Sequence, residues 1–180
     1  MSNKIKVHGR NFVPYITDEE IRQKIKEIAA SINRDYEGKN PLFIAILNGS
    51  FMFAADLLKE INIDAEISFI KLASYKGTKS SGQVLTAIGL DNEVHDKDVI
   101  IIEDIVDTGK TLYTFLPQLL NQNPRSLKLV TMLHKKEATE YDVPVDYVCF
   151  EIPNKFVVGY GLDYDGLGRN YKDLYQLDEE

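Results

Sequence analysis

Cysteine is almost absent from this chain. Cys149 is the single one in 180 residues, so no internal disulfide can form and a reducing compartment, the cytoplasm, is the expected location. It stands in the apolar run Tyr147-Val-Cys-Phe150 and reads as a buried small hydrophobe rather than a catalytic thiol. The N-terminus, MSNKIKVHGR, lacks the apolar stretch of a secretion signal. No segment approaches the ~18 apolar residues of a membrane-spanning helix. Basic residues are outnumbered, 21 Lys and Arg against 28 Asp and Glu, for a net charge of -7 and a pI of about 5.0. A general nucleic-acid binder needs a basic face, so neither nucleic acid nor membrane is an expected partner. A small polyanion stays open, because an acidic protein can keep a local positive site or recruit a divalent cation. The three histidines, His8, His95 and His134, fit no metal-ligand spacing and read as structural or solvated. Repeats, low-complexity tracts and long linkers are missing too. With 44% hydrophobic residues, the chain can form one packed core.

What is present alternates. Thr17-Asp-Glu-Glu20 has the form of a capping box, predicting a helix to about Ile32 with Ile21, Ile25, Ile28 and Ala29 on one face. Asn40-Pro41 interrupts the chain, and Leu42–Leu47 is a short continuous apolar run, the mark of a strand buried on both faces. Asn48-Gly49-Ser50 reads as a turn and Phe51–Ile61 as a helix, followed by a strand over Ile67–Leu72. A polar stretch from Ser74 to Gly82 has the composition of a mobile loop. A strand over Val84–Leu90 and a charged connection over Asp91–Asp98 come next. Val99–Ile102 is the most β-branched run in the chain. A helix over Thr111–Asn121 and strands over Leu127–Leu133 and Tyr147–Ile152 complete the pattern. Buried strands alternating with helices indicate an α/β domain with a mainly parallel sheet. Ligands of such sheets bind beyond the carboxyl ends of the strands, which directs attention to the loops after Leu47, Ile102 and Leu133.

After Ile102 comes Glu103-Asp104-Ile-Val-Asp107-Thr108-Gly109-Lys110-Thr111. A small polar loop opening a helix can aim several main-chain N–H groups at one phosphate. Thr108 and Thr111 add hydroxyls, and Gly109 permits close approach of the backbone. The adjacent acids would repel a phosphate; they suit a diol or a cation. Acids also gather near helix starts without any ligand, but this ordered combination favours a site. Gly109-Lys110-Thr111 is not the end of a Walker loop, because Asp104 stands where that motif requires glycine. Gly159-Tyr-Gly161 is not a dinucleotide fingerprint, since Tyr164 takes the third glycine position.

The segment from Glu103 to Thr111 resembles the phosphoribosyl-pyrophosphate motif of type I phosphoribosyltransferases. Leu47-Asn-Gly-Ser50, Ser74-Tyr75, Lys135 and the run Lys155–Asp163 through Arg169 narrow the resemblance to hypoxanthine-guanine phosphoribosyltransferases of bacterial type. It extends from about Leu42 to Arg169. It implies one domain over 1–180, with a core of about 17–134 and a small hood from the N-terminal segment and about 135–180. It also implies transfer of a phosphoribosyl group from phosphoribosyl pyrophosphate to a 6-oxopurine, with magnesium, in a homo-oligomer (dimer or tetramer).

By the same resemblance, Asp107, Thr108, Gly109, Lys110 and Thr111 cradle the 5′-phosphate. Glu103 and Asp104 face the ribose hydroxyls, directly or through magnesium. Asp107 lies near purine N7 as general base. Asn48, Gly49 and Ser50 form the pyrophosphate loop, where the family often carries a strained peptide; many relatives have a basic residue in place of Asn48, so magnesium and Arg169 would supply more of the positive charge. Ser74 and Tyr75 begin a loop that closes over the pyrophosphate side. Lys135 is the donor to purine O6, with Lys136 beside it as a competing candidate. Lys155, Phe156 and Val157 hold the base, Phe156 by stacking and Val157 through its backbone. Asp163 contacts magnesium and Arg169 the pyrophosphate. On residue type alone, Lys135 would be a solvated strand-end lysine and Phe156 a core residue. Two other readings stay open: a phosphoribosyltransferase for xanthine or another base, and a binding module of the same fold without turnover.

Overall fold

The computed structural model describes residues 4–74, 84–88 and 94–179. In chain order the strands and helices are β1 (Ile5–Val7), β2 (Arg10–Ile16), α1 (Asp18–Asp35), β3 (Leu42–Leu47), α2 (Phe51–Glu60), β4 (Glu66–Ser74) and β5 (Val84–Ile88). They continue with β6 (Asp98–Val106), α3 (Lys110–Leu120), β7 (Ser126–His134), β8 (Tyr147–Glu151), β9 (Val157–Val158) and β10 (Leu174–Leu177). Tyr75 and the expected strand end at 89–90 lie outside the described residues.

Six strands form the main sheet in the order β5-β4-β3-β6-β7-β8. The five from β4 to β8 across this order run parallel, and β5 closes one edge antiparallel to β4. Successive residues of a strand point to opposite faces, and here both faces are covered. Phe43, Ala45, Ile100 and Ile102 pack with Ile21, Ile25 and Ile32 of α1 and Phe53 and Leu57 of α2. Leu42, Ile44, Val99 and Ile101 pack on the other side with Leu112, Phe115 and Leu119 of α3. This double cover is why the central strands are continuous apolar runs rather than alternating ones. Cys149 sits in the first of these cores, 3% exposed, and burial pushes its thiol up to about 12, which suits packing and not catalysis.

Thr17 caps α1 as the capping box predicts: its hydroxyl accepts from Glu20 N–H while the Glu20 carboxylate accepts from Thr17 N–H at 2.8 Å. β6 corrects the sequence reading. Its strand does not stop at Ile102 but runs on to Val106, because Glu103, Ile105 and Val106 still pair with Thr131, Leu133 and His134 of β7. Glu103 and Asp104 are therefore inside a sheet strand, not in the loop after it. At the other end Asp98 already belongs to the strand, buried and bonded to Arg125 at 3.1 Å and Ser126 at 2.6 Å.

A second, antiparallel sheet of order β1-β2-β10-β9 joins the two ends of the chain. His8 and Gly9, both at positive φ, turn β1 into β2. Val7, Phe12, Val158 and Tyr175 form its own small core, with Tyr164 and Tyr171 packed against them. This small sheet forms a hood narrower than the one implied over 135–180, because β8 pairs with β7 and belongs to the main sheet.

Candidate active site

The carboxyl ends of β3, β6 and β7 bring three turns together, and the hood sheet adds a fourth segment, 154–169. After β6, residues 107–109 form a tight turn in which Gly109, at φ +82°, is the residue preceding α3. No side chain caps this helix, so the N–H groups of its first turn face the turn's mouth with the helix dipole behind them. A cavity of about 260 Å³ opens there, lined by Glu103 through Leu112 with Ile46 and Leu72. Thr108, Lys110 and Thr111 are exposed around it. The back of the turn is held by segment 139–141, whose Glu140 and Tyr141 N–H groups donate to Thr108 C=O at 3.0 and 3.1 Å.

Glu103 is 8% exposed and Asp104 half-buried. The Glu103 carboxylate accepts from Asp104 N–H at 3.0 Å, and Asp104 accepts from Ile105 N–H at 2.8 Å. Burial, and then the neighbouring Asp104 charge, hold the Glu103 carboxyl well above the usual carboxylate range. A carboxyl raised in this way binds its proton more tightly in the folded than in the unfolded chain. Its stabilising contribution is thus complete at low pH and is lost as pH rises from the ordinary glutamate range toward the raised folded value. Glu103→Gln, which keeps the acceptor for Asp104 N–H, is expected to raise Tm at neutral pH by about 2–4 °C for each kcal/mol of burial cost removed. Thermal unfolding in magnesium-free buffer from about pH 5 to 8 checks this: the wild-type Tm should fall with pH more steeply than that of the variant.

The turn after β3 packs directly on these acids. A Cβ added to Gly49 would lie 1.6 Å from Asp104 Oδ2, so only glycine allows the approach. The Leu47–Asn48 peptide bond is cis, and Asn48 is exposed. Ser50 is fully buried and its hydroxyl donates back to Ile46 C=O, which leaves its contribution to the turn's mouth to the main chain.

Beyond β7 the two adjacent lysines part. Lys136 is exposed at the start of a short 3₁₀ turn, Lys136–Ala138. Lys135 is 6% exposed; its Nζ donates to Asp107 Oδ2 at 3.1 Å and to Asn154 Oδ1 at 3.4 Å. The Asp107 side chain is about half exposed, 49%, so the pair lies at the border of the cavity with its carboxylate toward solvent. Facing outward nearby in the hood is Phe156, 44% exposed, resting on Phe12 at 6.2 Å and edge-on to Tyr164 at 5.5 Å. Phe156 is thus an exposed ring braced by two others and not a core residue. Val157 follows in β9, the edge strand of the hood. The Phe156 C=O accepts from Leu177 N–H at 2.9 Å, toward β10. By the alternation of an antiparallel ladder, Val157 then turns its own N–H and C=O to the open edge. Lys155, half-buried, donates its N–H to Pro153 C=O at 2.7 Å.

The glycine-rich hairpin that follows abuts the β3 turn: a Cβ on Gly161 would lie 2.1 Å from Gly49 O. Arg169 closes the hairpin, donating from Nη1 to Gly161 C=O at 2.7 Å and pairing through Nη2 with Asp163 at 2.7 Å. Asp163 also accepts from Gly166 N–H at 2.7 Å. Asp163 stands apart from Glu103 and Asp104 as a ligand set, since among the described residues no three His, Cys, Asp or Glu side chains come together closely enough to hold an ion.

Residues outside the expected site also hold it in place. Tyr160 is 2% exposed and its hydroxyl donates to Asp56 of α2 at 2.6 Å, pinning the hairpin to the sheet's helical layer. Burial, reinforced by Asp56, pushes that hydroxyl far above its ordinary range. Asn154 and Thr139 were missed in the sequence, being polar residues whose partners lie far away in the chain, whereas Tyr164 packs in the C-terminal lobe as expected of its type.

A model of the phosphoribosyl transferase domain matches residues 15–165. The chain belongs to the phosphoribosyltransferase family. This phosphoribosyltransferase is 44% identical over 160 residues to the hypoxanthine-guanine phosphoribosyltransferase of Lactococcus lactis, covering 88% of this chain and 85% of that one. Among solved structures it is similar to a hypoxanthine phosphoribosyltransferase from Staphylococcus aureus, with a TM-score of 0.87 at 40% identity over 92% of this chain and 90% of that one. It is also similar to hypoxanthine phosphoribosyltransferase from Trypanosoma cruzi complexed with the product IMP, with a TM-score of 0.88 at 37% identity over 97% and 94% of the two chains. The protein is thus an enzyme of phosphoribosyl transfer, and its parallel sheet with a terminal hood is the expected type I fold.

Proposed function

We propose that this phosphoribosyltransferase acts in purine salvage, moving the 5-phosphoribosyl group of phosphoribosyl pyrophosphate onto hypoxanthine or guanine to give IMP or GMP and pyrophosphate. The observation that carries this reading is the 3.1 Å pair of a buried ammonium, Lys135, with a carboxylate of the phosphate turn, Asp107. A 6-oxopurine offers an acceptor, O6, next to a donor, N7–H. An ammonium only donates and a carboxylate only accepts, so the pair matches that edge, whereas the amino group of adenine would meet Lys135 donor to donor.

In this reading the main-chain N–H groups at the start of α3, with Thr108, Gly109, Lys110 and Thr111, hold the 5′-phosphate. Glu103 and Asp104 accept from the ribose hydroxyls. Asn48, Gly49, Ser50, Ser74, Tyr75 and Arg169 serve the pyrophosphate. Phe156 stacks on the base while the outward peptide groups of Val157 meet its pyrimidine edge, with Lys155 organising the turn before them. The C1–O bond to pyrophosphate breaks, N9 bonds to C1, and Asp107 takes the N7 proton. The acids suit magnesium, a hard cation that is commonly held by one or two carboxylates and substrate phosphates rather than by a closed protein cage. Glu103 and Asp104 would hold it beside the ribose, or Asp163 would hold it apart from them, in each case with substrate oxygens completing its shell, and when bound it would screen the charge of the leaving pyrophosphate.

Ile67 and Phe69, 38% and 43% exposed on β4, offer an apolar face to a second copy of the chain, which supports a dimer or tetramer. No helix of the described residues is long and apolar enough to cross a membrane, which fits a cytoplasmic enzyme. A spectrophotometric assay with phosphoribosyl pyrophosphate, magnesium and single bases tests the reading. Turnover of hypoxanthine and guanine is expected; turnover of xanthine alone would overturn the specificity, and turnover of no base would overturn the reaction.

A further inference from the structure

We propose that Thr139 is a positioning residue that sets the spacing of Asp107 and Lys135, a role that rests on the reading of this pair as the base-facing edge. β6 and β7 are paired as far as Val106 and His134, and one further main-chain bond joins them, from Lys135 N–H to Val106 C=O at 2.9 Å. Past that point the two chains diverge, one into the phosphate turn and the other into the 3₁₀ turn. Asp107 and Lys135 are the first residues beyond the ladder, so the sheet no longer holds them side by side. The Thr139 hydroxyl lies in that gap, 3.1 Å from Asp107 C=O, 3.1 Å from Lys135 C=O and 3.3 Å from His134 Nε2.

A hydroxyl has one proton and can donate to one acceptor at a time. Lys135 C=O already accepts from Ala138 N–H at 2.9 Å. Asp107 C=O has no donor other than Thr139 among the described residues, so the proton is best used there. His134 donates to the hydroxyl in the tautomer with its proton on Nε2. Thr139 thus replaces the missing rung of the ladder and ties the backbone of Asp107 to the turn that carries Lys135. The neighbouring carbonyl of Thr108 is held independently by Glu140 and Tyr141 N–H groups, which separates the control of the base edge from that of the phosphate turn.

Thr139→Val keeps the shape and removes the hydroxyl, and Thr139→Ser keeps the hydroxyl. Loss of one hydrogen bond of ordinary strength corresponds to about a tenfold effect. In Thr139→Val the KM for hypoxanthine is expected to rise about tenfold with the KM for phosphoribosyl pyrophosphate within about twofold of wild type, and Thr139→Ser should restore both. A purely structural role would lower Tm and shift both KM values together, and that result, or wild-type kinetics in Thr139→Val, overturns the proposal. Hydrogen–deuterium exchange of the ligand-free proteins reads the same tie without any turnover. Faster exchange in the peptide spanning residues 105–110 of Thr139→Val alone is expected, and unchanged exchange overturns the tie. Failure of the wild-type enzyme to use hypoxanthine would instead refute the base assignment.

Discussion

Replacing Asp107 with asparagine should lower kcat by about 10²–10³-fold while changing the KM for hypoxanthine much less. The asparagine side chain has the same reach, and its Oδ1 can still accept from Lys135 Nζ, which lies 3.1 Å from the native carboxylate. What the variant loses is a group able to take the N7 proton as N9 attacks C1. Positioned acid–base groups contribute ~10²–10⁴-fold to rates, and the half-exposed setting of Asp107 argues for the lower part of that range. The 5′-phosphate turn keeps its main-chain ties to Glu140 and Tyr141, so the KM for phosphoribosyl pyrophosphate should also hold. Steady-state kinetics with each substrate varied in turn check the prediction. Turnover at the wild-type rate would remove Asp107 from the chemistry.

The second large effect is expected at a residue with no side chain. Gly161→Ala would place a Cβ 2.1 Å from Gly49 O at a position whose φ is +98°. Both obstacles are main chain. Gly161 is fixed through its N–H to Arg169 C=O at 3.0 Å and through its C=O to the Arg169 guanidinium at 2.7 Å. Gly49 cannot retreat, because Asp104 lies directly against it. The unfavourable backbone alone costs roughly 1–2 kcal/mol, and the steric conflict should bring the total to about 3–4 kcal/mol, among the larger single-residue effects. With roughly 2–4 °C per kcal/mol in a chain of this size, a fall in Tm on the order of 10 °C follows. The displaced turn should raise the KM for phosphoribosyl pyrophosphate at least about tenfold. Gly166→Ala is the control: φ is +87° there, but an added Cβ meets nothing within 4 Å, so only the backbone cost applies. Equal losses in the two variants would mean that the contact between the hairpin and the β3 turn does not matter.

These predictions draw on residues of different legibility. The turn before α3 could be read because its parts are contiguous: Asp107, Thr108, Gly109 and Thr111 stand together at one helix start. The capping box at Thr17 and the double-covered strands at Leu42–Leu47 and Val99–Ile102 were legible for the same reason, since caps and burial patterns are local. The end of β6 was not, because its continuation through Glu103 and Asp104 depends on pairing with Thr131 and Leu133 of another strand. Acidic residues do not advertise a strand, and here the neighbouring ladder overrides that preference.

The choice between Lys135 and Lys136 shows the division most clearly. Residue type alone does not separate two adjacent lysines; the resemblance favoured Lys135 over the competing Lys136, and the turn of the backbone after β7 sends Lys135 inward to Asp107 and Lys136 to solvent. In the same way, nothing local links Tyr160 to Asp56, Gly161 to Gly49 or Thr139 to Asp107. By itself the sequence determined the α/β class, the buried strands and the polar turn that opens α3, all of which arise from interactions between near neighbours in the chain. The tertiary structure alone decided which lysine pairs with Asp107, how the hood braces Phe156 and which glycines let two loops touch. Those outcomes depend on contacts between segments far apart in sequence, and such contacts exist only once the two sheets have packed.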